Sequence, residues 1–182
     1  MRYQETELKL KNGQTAVLRN AEVEDSSALL KYLKATAAET RYLVNEPEEV
    51  TLTLEQEAEF LLEKAESERE LMLIATIDGE HAGNCSVCSL GTKQRYRHRC
   101  SVGIALYKKY WGIGLGRQML TAVLKRAEEC GYEQAELEVV VDNTAAIALY
   151  KSLGFEIYGI LKHDMKYSDG TYGDTYHMVK YF

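Results

Sequence analysis

The sequence predicts a single α/β (α+β) domain in which β-hairpins and amphipathic helices alternate, and three observations carry that prediction. Asn12-Gly13, Asp78-Gly79 and Asp169-Gly170 each separate two strand-like runs, and these dipeptides reach the left-handed geometry of tight hairpin turns at little cost. Met119, Leu120, Val123, Leu124 and Ala127 recur at helical spacing, with Lys125, Arg126, Glu128 and Glu129 around the other side. Gly112, Gly114 and Gly116 alternate where the strand-like run Ser101–Leu106 gives way to that helix. At 182 residues the chain is long enough for one well-buried core and short for two domains.

The elements follow in order. Glu7 to Leu18 reads as a hairpin, Asp25 as the cap of a helix through Ala37, and Thr53 with Gln56 as a capping box for a helix through Ser67. Between those helices lies Glu39 to Pro47, where the only proline of the chain breaks the helical pattern. Leu71 to Ile77 and His81 to Leu90 form a second hairpin, followed by a loop carrying Lys93, Arg95, Arg97 and Arg99. That basic run reads either as a contact for an acidic partner or as an ordinary solvated loop. A helix from about Gly114 to Glu129 stops at Gly131, and Gln134 to Val141 is the next strand. Asp142-Asn143 then opens a helix over Thr144 to Leu153, ending at Gly154. Phe155 to Lys162 and Tyr172 to Tyr181 complete a final hairpin.

The stretch Tyr110-Trp111-Gly112-Ile113-Gly114-Leu115-Gly116-Arg117 is the most informative. Glycine lets the backbone take φ > 0 and approach a ligand closely, and the unpaired N–H groups of a first helical turn point at an anion such as a diphosphate. Taken alone, the pattern equally describes a tight strand-to-helix connection. One strand later, Asn143, Ala146 and Tyr150 sit at offsets that share one helix face at about 100° per residue. Asn143 could equally act only as a helix cap, and Tyr150 only as a packing residue.

Together, Val102-Gly103-Ile104-Ala105-Leu106, Trp111 to Gly116, and the run Asn143 to Phe155 resemble the GNAT superfamily of acyl-CoA-dependent N-acyltransferases. The ordered pair of motifs is far more specific than either alone. The family's glycine loop usually opens with Arg or Gln, where this chain has Trp111. The resemblance implies a mixed, mostly antiparallel central sheet, splayed at the cofactor site and flanked by helices. It implies acetyl-CoA as cosubstrate, bound by Ile104, Ala105, Leu106, Trp111, Gly112, Ile113, Gly114, Leu115, Gly116, Arg117, Asn143, Ala146 and Tyr150, with no metal. It also implies that the Glu39 to Pro47 region borders the acceptor, so Glu39, Tyr42 and Glu46 are candidates for gripping an amine. As ordinary surface acids in a polar connection, they would have no such role. The aromatic residues of the last hairpin would close the acceptor pocket or complete the core.

Acetyl transfer needs a deprotonated amine and a protonated leaving thiolate. The resemblance places Tyr150 beside the CoA sulfur as general acid. Relatives commonly carry a Glu as base two residues before the position of Gly103, where this chain has Ser101, a poor base when unassisted. Glu138 on the next strand, or Glu39 acting through water, are the replacements; either could be structural, and ordered water alone could suffice. The expected acceptor is a primary amine of a small molecule, such as a polyamine, or of a protein N-terminus. Homodimerisation is a family-level expectation.

The net charge of −6 gives no support to nucleic-acid binding and suits a cationic substrate. The first residues lack the apolar core of a signal peptide and no apolar run reaches the length of a membrane span, so a soluble cytoplasmic protein is expected. Four cysteines in that setting are expected to be reduced. The odd spacing of Cys85 and Cys88 on a strand puts them on opposite faces, and His81, His98, His163 and His177 are too scattered for a metal site. Two other classes remain: a non-catalytic acyl-CoA-binding regulatory module with the same fold, and a dinucleotide-binding oxidoreductase. For the latter, Gly112, Gly114 and Glu136 echo a Rossmann fingerprint, but Gly116 is misplaced and the repeated βαβ units are missing.

Overall fold

The computed structural model describes residues 1–182. Its strands are β1 (Thr6–Lys9), β2 (Thr15–Asn20), β3 (Leu71–Ile77), β4 (Glu80–Ser89), β5 (Arg99–Leu106), β6 (Gln134–Val140), β7 (Glu156–Lys166) and β8 (Tyr172–Tyr181). The helices are α1 (Ser26–Glu39), α2 (Leu54–Glu66), α3 (Leu115–Glu129) and α4 (Thr144–Ser152). All eight strands join one sheet in the order β1-β2-β3-β4-β5-β6-β8-β7, as the mixed, mostly antiparallel prediction requires. The sole parallel pair, β5 with β6, holds for three rungs: Arg99 with Gln134, Cys100 with Ala135, Ser101 with Glu136. Beyond Ser101 and Glu136 the two strands part, and the gap between them is the splay.

Alternation along the strands sorts side chains onto two faces. Leu71, Leu73, Ala75, Cys85, Val87, Cys100, Val102, Ala135, Leu137 and Val139 pack into the main core with the apolar stripe of α3. Each large aliphatic side chain buried there stabilises the fold by ~1.5–3 kcal/mol. On the opposite face Met72 and Ile74 meet Leu29 and Tyr32 of α1 and Leu61 of α2. Cys85 and Cys88 lie on opposite faces as their spacing requires: Cys85 is in the main core, and Cys88 receives the Lys64 ammonium of α2 at 3.5 Å.

Three local expectations need correction. Asp25 precedes α1 but does not cap it; its carboxylate is held by Arg19 at 2.7 and 2.8 Å and accepts the Glu22 N–H. A strand-to-loop ion pair has taken the oxygens the helix would have used. β7 runs on to Lys166 rather than ending at Lys162, because a bulge at His163 (φ 55°) lets Asp174 accept the His163 N–H and restore the ladder. The C-terminal aromatics divide: Tyr176 and Phe182 pack on the main core, while Tyr158, Tyr172 and Tyr181 are exposed.

Candidate active site

The glycine loop forms the mouth of the gap. Gly112 and Gly114 have φ of 77° and 89°, a region where a side chain would be strained. Gly116 has ordinary backbone angles, and a Cβ there would meet Leu106 and Ile104 of β5 and Leu149 of α4 at 3.5–3.6 Å. Its first turn therefore brings α3, the end of β5 and α4 together, and Arg117 reaches Ser152 of α4 at 2.7 Å. The N–H groups of Gly112, Ile113, Gly114, Leu115, Gly116 and Arg117 donate to no protein acceptor; the helical ladder resumes only with Gln118 N–H on the Gly114 carbonyl. Six consecutive free donors at a helix N-terminus, where the dipole is positive, fit a diphosphate. Lys11, from the β1–β2 turn, lies along this loop: its N–H bonds the Ile113 carbonyl, and its side chain is 3.3 Å from a Cβ placed on Gly114. Nothing local in the sequence marks Lys11, because its contact comes from pairing across the fold.

Beyond Ser101, β5 presents half of its backbone to the gap. Tyr107 N–H bonds the Ala82 carbonyl, so the alternation turns Ala105 toward β4 and leaves the groups of Val102, Ile104 and Leu106 on the gap side. Two carbonyls are already engaged: the Trp111 indole donates to Leu106 at 3.0 Å, and the Tyr32 hydroxyl lies 2.7 Å from that of Ala105 and 3.0 Å from Asn84 Oδ1. Buried to 1% exposure, Tyr32 has its phenol held neutral by burial and pins β5 beside the gap. Below the gap, Arg99 grips Glu136 with two bonds of 2.6 and 2.8 Å, and that guanidinium holds the Glu136 carboxyl below its usual range. Glu136 is thus fastened to the last paired rung, which removes the acid a dinucleotide site would have needed.

Tyr150 of α4 is 8% exposed, its ring set edgewise to Phe155 at 6.0 Å. Burial pushes its phenol well above the ordinary tyrosine value, so the proton is retained at neutral pH. Its hydroxyl has no hydrogen-bond partner within the protein. Asn143 caps α4, its Oδ1 accepting the Ala146 N–H at 3.2 Å, which leaves its amide NH2 free. Across the sheet, on the face opposite Tyr150, Glu138 of β6 is 64% exposed and its carboxylate lies 3.5 Å from His177 Nδ1 of β8. Glu138 lies two residues beyond Glu136, the last residue of β6 paired with β5, and so borders the gap. Sequence reasoning did not single out His177, because its pairing with Glu138 depends on β8 inserting between β6 and β7.

The other acceptor-side candidates carry structural bonds. Glu39 Oε2 accepts the Lys108 N–H at 2.6 Å, tying α1 to the start of the glycine loop. Glu46 Oε1 accepts the Ser168 N–H at 3.4 Å, and neighbouring Arg41 donates to Thr171 and stacks 3.8 Å from the Tyr167 ring centroid. The α1–α2 loop and the β7–β8 hairpin are therefore clasped together. Half-buried Tyr42 lies in the same loop.

A family model described as the Acetyltransferase (GNAT) family matches residues 27–155. The chain belongs to the GNAT family of acetyltransferases. It is 31% identical over 111 residues to the L-amino acid N-acetyltransferase AaaT of Escherichia coli K12, covering 59% of this chain and 66% of that protein. It is 32% identical over 130 residues to an N-alpha-acetyltransferase of Sulfurisphaera tokodaii, covering 66% and 74%. The structure of a GNAT-family acetyltransferase from Streptococcus pneumoniae superposes with a TM-score of 0.87, 29% identity, and coverage of 92% and 99%. The yncA structure from Salmonella typhimurium, determined with its cofactor acetyl-CoA, shares the fold at a TM-score of 0.79 and 18% identity, covering 98% and 94%. As a GNAT N-acetyltransferase, the chain uses acetyl-CoA to acetylate an amine, and the reading as a non-catalytic module is not favoured. No helix is long and apolar enough to cross a membrane.

Proposed function

We propose that this N-acetyltransferase acts on the α-amino group of an amino acid or a protein N-terminus, with Tyr150 as general acid and Glu138 as general base. What supports the residue assignment is the buried Tyr150 hydroxyl, which has no protein hydrogen-bond partner, together with the exposed Glu138 carboxylate on the strand that borders the gap. The α-amine is the feature common to the names of the two relatives above.

The six free N–H groups from Gly112 to Arg117 hold the diphosphate, with Lys11 beside them. Asn143 and Ala146 line the helix face along the cofactor, and the gap-side backbone of Ile104 and Leu106 aligns the pantetheine arm. The bound cosubstrate supplies an acetyl group activated as a thioester. Glu138 takes a proton from the acceptor ammonium so that the nitrogen lone pair can attack. An α-amine, with an ordinary pKa near 8, asks less of a carboxylate than a lysine-like amine near 10. As the carbon–sulfur bond breaks, the nitrogen sheds its second proton to water, and Tyr150 donates its hydroxyl proton to the departing sulfur and is reprotonated from solvent; of the two protons the ammonium loses, one is balanced by the proton on CoA, so overall one proton is released. Burial raises the phenol's pKa and so weakens it as an acid; it keeps its proton at neutral pH and gives it up only as negative charge grows on the departing sulfur. Glu46 shapes the acceptor side through the clasp it helps to build, Glu39 by tying α1 to the start of the glycine loop, and half-buried Tyr42 from the same loop as Glu46. One cytoplasmic domain, with no nucleic-acid or membrane partner, and a homodimer complete the proposal.

The test is Tyr150→Phe. The hydroxyl makes no protein hydrogen bond, so its removal leaves nothing unpaired. The expected outcome is a fall in kcat of about 100-fold or more, with acetyl-CoA affinity within about threefold of wild type. An unchanged kcat would exclude Tyr150 as the acid.

A further inference from the structure

A carboxylate that accepts a proton from an ammonium must lose it before the next turnover, to water or to a neighbouring base. The geometry points to His177 as the residue that takes the proton from Glu138 and relays it to solvent, an inference that rests on Glu138 being the base.

Glu138 and His177 are directly opposed across the antiparallel β6–β8 ladder, so the pairing is fixed by backbone register rather than by flexible side chains. His177 Nδ1 lies 3.5 Å from Glu138 Oε1, and Glu138 has no other protein partner. The imidazole is 25% exposed and rests against the Tyr158 ring, with centroids 5.9 Å apart, so it is held in place yet open to water. The neighbouring charges do not compete for it. On β6, Glu136 is engaged by Arg99 of β5; on β7 the group facing the pair is the phenol of Tyr158. Glu138 stands on the strand that borders the gap, and His177 one strand farther away. This order makes Glu138 the group that meets the amine and His177 the group behind it.

The proton balance is simple. The ammonium N–H bond breaks as an O–H bond forms on Glu138. That proton passes to the Nδ1 lone pair of His177, and Nε2 releases a proton to water, which leaves the carboxylate charged and the imidazole neutral in its other tautomer. Solvent exchange restores the original tautomer. A neutral imidazole is therefore required at each turnover.

The experiment compares wild type, His177→Gln, His177→Ala and Glu138→Gln, using saturating acetyl-CoA and the best acceptor amine. His177→Gln is expected to lower kcat about 10-fold and to move its acid limb, because a glutamine side chain has no lone-pair nitrogen to take up the proton. The KM for acetyl-CoA should stay unchanged. Added imidazole is expected to restore part of the activity of His177→Ala. A wild-type profile in His177→Gln, or a uniform drop in kcat with an unmoved acid limb and no imidazole rescue, would overturn the relay. Retention of full activity by Glu138→Gln would instead overturn the underlying assignment of the base.

Discussion

Gly112→Ala tests whether the glycine loop binds the cosubstrate through its backbone, and the molecule contains its own control. Gly112 and Gly131 have φ of 77° and 82°, and a Cβ at either position meets no atom within 4 Å. Alanine at either site costs ~1–2 kcal/mol of backbone strain, without a steric clash to confuse the result. For a domain of this size that loss lowers Tm by about 2–8 °C in both variants. Only Gly112 belongs to the run of free N–H donors; Gly131 lies past the far end of α3. An alanine that relaxes out of the left-handed region swings the Gly112 and Ile113 N–H groups off the anion. A lost charge-assisted hydrogen bond costs ~1.5–3 kcal/mol, so acetyl-CoA affinity should fall at least about 10-fold in Gly112→Ala. Gly131→Ala should bind as wild type does. Calorimetric titration gives the affinities and thermal melts give the stabilities. Equal affinities for the two variants, at equal loss of Tm, would refute the backbone cradle.

Two further outcomes follow from the structure. His81 packs against Tyr32 and Tyr107 with neither ring nitrogen bonded, and burial pushes its pKa down to about 4. The unfolded chain takes up that proton first, at about 6.5, so the stability tied to a neutral His81 is complete above that value. It is lost as pH falls toward 4, by ~2 kcal/mol at pH 5, and His81→Phe should flatten this part of the stability–pH curve in urea titrations. Lys11→Ala should weaken acetyl-CoA binding by about two- to fivefold and reduce its salt dependence, as for an exposed ion pair, leaving the acceptor KM unchanged; equal salt slopes in titration calorimetry would remove Lys11 from the phosphate site.

The parts of the fold legible in the sequence are those governed by local physics. The hairpin turns, the Thr53–Gln56 capping box, the Asn143 cap and the positive φ of Gly112 and Gly114 each follow from a few adjacent residues, and the structure has them. The misreadings have long-range causes. Asp25 looked like a helix cap until Arg19, from another element, took its carboxylate. Lys162-His163-Asp164 looked like a strand end, because a bulge satisfied from Asp174 leaves no local mark. The cofactor loop was readable because its chemistry lies in consecutive backbone groups. The acceptor side was not, since Tyr32 meets Ala105 and Glu138 meets His177 only through sheet order and helix packing. Glu39 and Glu46 were singled out by position and charge, yet each has an oxygen committed to a backbone N–H that sequence cannot reveal.

The most direct test of the central claim is the release of free CoA from acetyl-CoA against amino acids, N-terminal peptides, polyamines and aminoglycosides, with Tyr150→Phe measured in parallel. The account predicts turnover that depends on an α-amine and is lost in Tyr150→Phe while the cosubstrate still binds. Tight acetyl-CoA binding with no amine-dependent release across the panel, or equal release by Tyr150→Phe, would contradict it.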